Sequence, residues 1–148
     1  MRKETFLPVL RELARCYQAF ESYSSKHIRT LGLTPAQFDL IVTLGNTQGM
    51  NFKELGEQTL ITKGTLTGVV DRLVVKKLVR RIASPTDGRS QTVQLTAHGE
   101  SLFARIFPAH VAHVRAAFAG LDAAGLEQAE TTLRQLRSAF AKAGEQQK

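Results

Sequence analysis

The chain has 148 residues, of which 43% are hydrophobic and 22% charged. That length suits one domain, or one small module with an extension, and is ample for a buried core. A near-average globular composition argues against wholesale disorder, and no apolar run approaches the ~20 residues needed to cross a bilayer. Behind Met1-Arg2-Lys3-Glu4 the residues are mixed charged and apolar, without an uninterrupted signal-peptide core. A single cysteine, Cys16, forms no internal disulfide, excludes cysteine-rich zinc folds and fits a reducing compartment. A soluble cytoplasmic protein with no membrane partner is expected.

Twenty Lys and Arg against thirteen Asp and Glu leave +7, and the distribution says more than the total. Residues 61–92 alone carry +5: Lys63, Arg72, Lys76, Lys77, Arg80, Arg81 and Arg89 against Asp71 and Asp87. A local positive field is what a polyanion binder needs, because each neutralised phosphate releases counterions. A solvated basic face is the alternative on charge alone.

In chain order, apolar residues at Phe6, Leu10, Leu13, Tyr17, Phe20, Ile28 and Leu31 step by threes and fours, predicting a long helix that starts near Pro8 and stops at Gly32. Thr34-Pro35-Ala36-Gln37 is a capping-box start for a second helix over 35–45 burying Phe38, Ile41 and Leu44. Asn51-Phe52-Lys53-Glu54 opens a short third helix ending near Thr59. Leu60-Ile61 makes a turn, and Thr62 is expected to cap a fourth helix over 63–77 with Leu66, Val69, Val70 and Leu73 inward. Two helices joined by a tight turn form a helix-turn-helix pattern, though ordinary helical hairpins look alike.

The segments Leu78-Val79-Arg80-Arg81-Ile82-Ala83 and Gln91-Thr92-Val93-Gln94-Leu95 are rich in β-branched residues and flank a turn-rich loop containing Asp87-Gly88. A helix-turn-helix followed at once by such a hairpin is a winged helix. Thr96 is read as the cap of a fifth helix running through Leu102, Ile106, His110, Val111, Val114 and Phe118, with a kink or a lost hydrogen bond at Pro108. Gly120 closes it and Asp122 caps a sixth. There Leu126, Ala129, Leu133, Leu136 and Phe140 are spaced 3-4-3-4, a seam that needs a partner: the first helix of the same chain or the equivalent helices of a second chain. The fold class is mainly α with a small β-hairpin wing.

Four stretches taken together resemble the MarR family of transcriptional regulators. They are Leu31-Gly32-Leu33-Thr34-Pro35-Ala36-Gln37-Phe38, Gly64-Thr65-Leu66-Thr67-Gly68-Val69-Val70-Asp71-Arg72-Leu73, Lys77-Leu78-Val79-Arg80-Arg81, and Asp87-Gly88-Arg89-Ser90 with Val93-Gln94-Leu95-Thr96-Ala97-His98-Gly99. The resemblance implies a homodimeric winged helix-turn-helix protein on pseudo-palindromic double-stranded DNA, expected to act as a repressor. Residues 32–96 would form the DNA-binding domain, and residues 1–31 with 97–148 the dimerisation region.

On that resemblance the fourth helix is the recognition helix. Thr62, Lys63, Thr65 and Thr67 are expected to reach base edges or phosphates, Gly64 to let the backbone approach, and Arg72 to reach the phosphate backbone. Alternatives are ordinary exposed positions for Thr65 and Thr67, a core position for Leu66 and an ion pair with Asp71 for Arg72. Arg89, beside Ser90 at the wing tip, is expected to enter the minor groove, held by Asp87; a pair that only stabilises the wing is the alternative. Gly88 stands where relatives often carry a charged residue.

Relatives commonly respond to small aromatic or phenolic ligands in a cleft, which makes Tyr23, His27 and Phe38 pocket candidates, with plain packing as the alternative. Cys16 is expected to be a buried inert thiol rather than a redox sensor. His110 and His113, at i and i+3, are metal candidates with His27, but no carboxylate–histidine cluster supports them and no metal or cofactor is expected. Other functions are a winged-helix module that contacts protein, or a redox-responsive regulator using Cys16. Nucleophile elbows, phosphate-binding glycine loops and paired carboxylates with a matching base are lacking, so an enzyme is not expected.

Overall fold

A computed structural model describes residues 4–84 and 89–148. The elements run α1 (Leu7–Thr30), α2 (Pro35–Leu44), β1 (Met50–Asn51), α3 (Phe52–Gln58), α4 (Lys63–Val75), β2 (Val79–Ala83), β3 (Gln91–Leu95), α5 (Ala97–Ala117) and α6 (Ala123–Glu145). The chain divides into two compact units between Val111 and Ala112. The first holds the core; the second consists of the end of α5 and all of α6.

The helix starts obey the capping chemistry expected of them. Thr34 accepts from the Gln37 N–H while the Gln37 side chain accepts from the Thr34 N–H, a complete capping box with Pro35 in the first turn. Asn51 accepts from the Glu54 N–H at 2.8 Å, and Asp122 accepts from the Gly125 N–H at 2.8 Å. Thr62 differs. It occupies the N-cap of α4, but its hydroxyl donates to Thr65 Oγ1 at 3.1 Å and caps no backbone N–H. α5 runs unbroken through Pro108, which has no N–H to give the Ala104 carbonyl.

In the first unit, Leu40, Ile41 and Leu44 of α2, Leu55 of α3, Val70 and Leu73 of α4, Val79 and Val93 of the sheet and Ile106 of α5 are essentially solvent-free. Each contributes about 1.5–3 kcal/mol of transfer free energy. The core side chain near the start of α5 is Phe103; Leu102, named by the periodicity, is only partly buried.

The sheet has three strands, not the two of a bare hairpin. Its order is β1-β3-β2, antiparallel throughout, with Val79 opposite Leu95 and Ala83 opposite Gln91 on one side of β3 and Met50 opposite Val93 on the other. Two residues carry too little pattern to announce β1 by sequence. Its pairing nonetheless ties the start of α3 to the wing.

The link from α4 into β2 is tight. Lys77 donates to the Val74 carbonyl and Leu78 to that of Leu73, with Lys77 at φ +60°, a Schellman closure that usually takes glycine. A lysine in that left-handed conformation costs about 1 kcal/mol. The Lys77 carbonyl accepts from Thr96 Oγ1 at 2.7 Å and the Leu78 carbonyl from the Thr96 N–H at 3.1 Å, so the same turn seats the start of α5. That contact leaves no room at Gly99: a Cβ there would lie 2.1 Å from the Leu78 carbonyl oxygen. Gly99→Ala is expected to lower unfolding free energy by about 1–3 kcal/mol through overpacking, read by urea denaturation; an unchanged midpoint would mean that α5 shifts freely.

Candidate nucleic-acid interface

One face of α4 is fixed by burial, and the helical repeat decides the rest. Leu66, Val69, Val70 and Leu73 are all buried. That rotation turns Thr62, Lys63, Gly64, Thr65, Thr67 and Arg72 outward, and all six are exposed. Leu66, at 2% exposure, is a core residue and not part of the outer face. Asp71 pairs with Arg81 of β2 rather than with its neighbour Arg72.

The turn before α4 is held by α2. Asp39 accepts the Leu60 N–H on Oδ2 at 2.9 Å and the Thr43 hydroxyl on Oδ1 at 3.5 Å. Thr59 Oγ1 accepts from the Ile61 N–H and donates to the Leu55 carbonyl, so α3 is closed off before α4 begins. Ile61 is buried while Leu60 is 83% exposed, so the turn presents an apolar side chain beside the polar end of α4.

Gly64 and Gly68 stand one turn apart on α4, and an added Cβ at either would meet nothing within 4 Å. Glycine in a helix costs about 0.8–1.0 kcal/mol relative to alanine. Internal packing does not call for either glycine. Among the described residues no side chain caps the N-terminus of α4, which leaves its first-turn donors suited to an anion.

In the wing, Arg89 is exposed and Ser90 half-buried, with the Ser90 carbonyl accepting from the Ser84 N–H at 2.9 Å. Asp87 and Gly88 lie outside the described residues, and with them the expected Asp87–Arg89 pair. On the strands, Arg80 donates through Nε to Gln94, whose side-chain amide donates to the Gln48 carbonyl at 3.2 Å.

A second cluster joins α1 to α5 within the first unit. His27 Nδ1 and His110 Nδ1 lie 2.9 Å apart, and Ser24 Oγ lies 3.1 Å from His110 Nε2. The imidazole planes differ by 26° with centroids 5.2 Å apart, so the rings meet at their nitrogen edges. The Phe38 ring stands edge-on to His110 at 4.6 Å. One proton fits between the two Nδ1 atoms. Either His27 donates and His110 gives its Nε2–H to Ser24, or Ser24 donates to Nε2 and His110 donates to His27. Ser24, Phe38 and His110 are buried, His27 is half-buried and Tyr23 exposed.

The metal candidates divide accordingly. His110 and His27 do come together, but as hydrogen-bond partners, and among the described residues no group of three His, Cys, Asp or Glu converges on a common point. Cys16 is exposed, not buried, because α1 turns that face away from the core. No helix among the described residues is long and apolar enough to cross a membrane.

Residues 31–90 match the family model for the MarR family. Over 102 residues the chain is 36% identical to the HTH-type transcriptional regulator MhqR of Bacillus subtilis, a span covering 69% of this chain and 70% of that relative. The chain belongs to the MarR family. It is therefore a DNA-binding transcriptional regulator of the winged helix-turn-helix class, not an enzyme. BpsR of Bordetella bronchiseptica, whose DNA binding is regulated by 6-hydroxynicotinic acid, superposes with a TM-score of 0.81 at 26% identity over 93% of this chain and 98% of its own. Sco3205, a MarR-family regulator from Streptomyces coelicolor solved with DNA, gives 0.84 at 26% identity over 94% and 91%.

His27, Phe38 and the proximity of His110 to His27 were legible in the sequence, whereas Ser24 was not, and the two imidazoles meet in a hydrogen bond. The available signal was Ser24 at i−3 from His27, a polar residue on the face of α1 that also carries Ile28. Replacing His110 with phenylalanine keeps a ring against Phe38 but removes the nitrogens that Ser24 and His27 engage. Loss of these bonds in a buried site is expected to cost about 1–3 kcal/mol, measured by chemical denaturation. A variant as stable as the wild type would show the bridge to be dispensable.

Proposed function

We propose that the protein is a homodimeric repressor that sets two copies of α4 in successive major grooves of a pseudo-palindromic operator and leaves it when a small aromatic or phenolic ligand binds. The observation that carries the DNA-reading part is the outward set on α4: Thr62, Lys63, Thr65, Thr67 and Arg72 exposed around a buried apolar stripe, with Gly64 bare beside them. Thr62, Lys63, Thr65 and Thr67 are assigned to base edges and nearby phosphates, Gly64 to close backbone approach, and Arg72 to a phosphate. Arg89 with Ser90 at the wing tip is assigned to the adjacent minor groove, with Asp87 orienting the guanidinium. The complex of Sco3205 with DNA supports a DNA-binding role for this architecture.

Residues 32–96 form the DNA-binding domain on this proposal, and residues 1–31 with 97–148 the dimerisation region. Support comes from apolar residues left in solvent. On α6, Leu126, Leu133 and Phe140 are exposed at a seven-residue spacing; Phe6 at the N-cap of α1 and Leu10, Tyr17 and Phe20 along it are exposed. Apolar stripes of this extent call for a cover, and a two-fold partner supplies one while placing the α4 pair about one DNA turn apart.

The effector site is placed at Tyr23, His27 and Phe38, extended by Ser24 and His110. A hydroxyl and two imidazoles beside a phenyl edge suit a ring carrying a hydroxyl or carboxylate, and BpsR answers to a ligand of that kind. The ligand shifts the DNA equilibrium only by its differential affinity for the two dimer states.

The test begins with a duplex enriched by the wild-type protein from a random library. Arg72→Ala is expected to reduce the slope of log affinity against log salt by about two, one phosphate contact for each protomer. Sedimentation should give twice the chain mass. An unchanged slope removes Arg72 from the interface, and a lone subunit at binding concentrations overturns the paired-groove proposal.

A further inference from the structure

We infer that Asp71 and Arg81 are positioning residues for DNA recognition, a carboxylate–guanidinium brace that sets the angle between the recognition helix and the wing. Arg81, in the middle of β2, donates through Nη2 to Asp71 Oδ1 on α4. Its guanidinium carbon lies 5.7 Å from the centre of the Phe52 ring at the start of α3. Three elements therefore meet on one side chain: the helix that enters the groove, the helix that precedes it and the strand leading into the wing.

The pair is poorly explained as a source of stability. Asp71 is 54% and Arg81 30% exposed in their side chains, and ion pairs in such surroundings contribute little. Arg81 Nε is moreover buried and has no hydrogen-bond partner among the described residues. A guanidinium that forgoes one hydrogen bond to hold a fixed plane against Phe52 gains direction rather than energy. Charge points the same way. Asp71 is one of two acids within the basic stretch 61–92, and a free carboxylate on a helix facing DNA would repel phosphate. Tied to Arg81, it is neutralised, and the Arg81 charge is used inside the protein instead of on the backbone of the duplex.

The consequence concerns specificity. α4 and the wing address different grooves, so sequence-specific binding needs both at one fixed relative angle, whereas non-specific binding needs only the positive field. The inference rests on α4 and the wing both engaging DNA, as proposed above.

The full-length protein is titrated against two duplexes of equal length, one enriched from a random library by the wild type and one of random sequence. Asp71→Asn and Arg81→Lys are each expected to lower affinity for the enriched duplex about tenfold, comparable to one mismatched base pair in the site. In Arg81→Lys, which keeps the charge, affinity for the random duplex, the salt slope and the thermal midpoint should stay near wild type, whereas Asp71→Asn should raise affinity for the random duplex. The exchange Asp71→Arg with Arg81→Asp should recover at least half of the lost discrimination on a logarithmic scale. Unchanged discrimination in the single variants, or an exchange no better than either of them, overturns the brace. So does a salt slope lowered by Arg81→Gln by about two, which would make Arg81 itself a phosphate contact. A wild-type protein that enriches no sequence would sink the DNA proposal and this inference together; enrichment with equal discrimination in all variants would sink the brace alone.

Discussion

The direction of every outward side chain of α4 depends on how firmly the inner face of that helix is held. Four apolar side chains, Leu66, Val69, Val70 and Leu73, lock that helix against α2, α3 and β2. A helix has one rotation about its axis once such a stripe is buried, and each burial contributes about 1.5–3 kcal/mol. The threonines, the lysine and the arginine on the far side therefore have no choice of direction. Asp39 adds the second constraint by holding the Leu60 N–H, which fixes where α4 begins.

The wing is integrated with the helix by shared turns rather than by a flexible joint. The closure at Lys77 ends α4, starts β2 and supplies the carbonyls on which Thr96 seats α5. Gly99 is the point of closest approach in that arrangement. A strained lysine at +60° is retained where glycine would be easier, so the turn gives up some stability in a positively charged stretch. β1 then ties the start of α3 to the far side of β3. α4, the wing and the base of α5 are thus tied together.

The bridge from His27 of α1 to His110 lies farther along α5 than the Thr96 seat. A single shared proton and the Ser24 hydroxyl make it a polar joint in an apolar setting, and such joints have discrete rather than graded arrangements. α5 connects this cluster to the Thr96 seat.

Much of the molecule was legible in the linear chain because its rules are local. Capping residues at Thr34, Asn51 and Asp122, the 3.6-residue apolar period of α1 and α4, and the alternation in Gln91–Leu95 each act within a few residues, and four motifs in order sufficed for the family resemblance. What tertiary structure alone decided involves partners far apart in sequence. Met50 against Val93, Asp71 against Arg81 and Ser24 against His110 are chosen by which faces the core brings together. The exposure of Cys16 has the same origin: periodicity gives the spacing of a helical face, while only packing decides which face is covered.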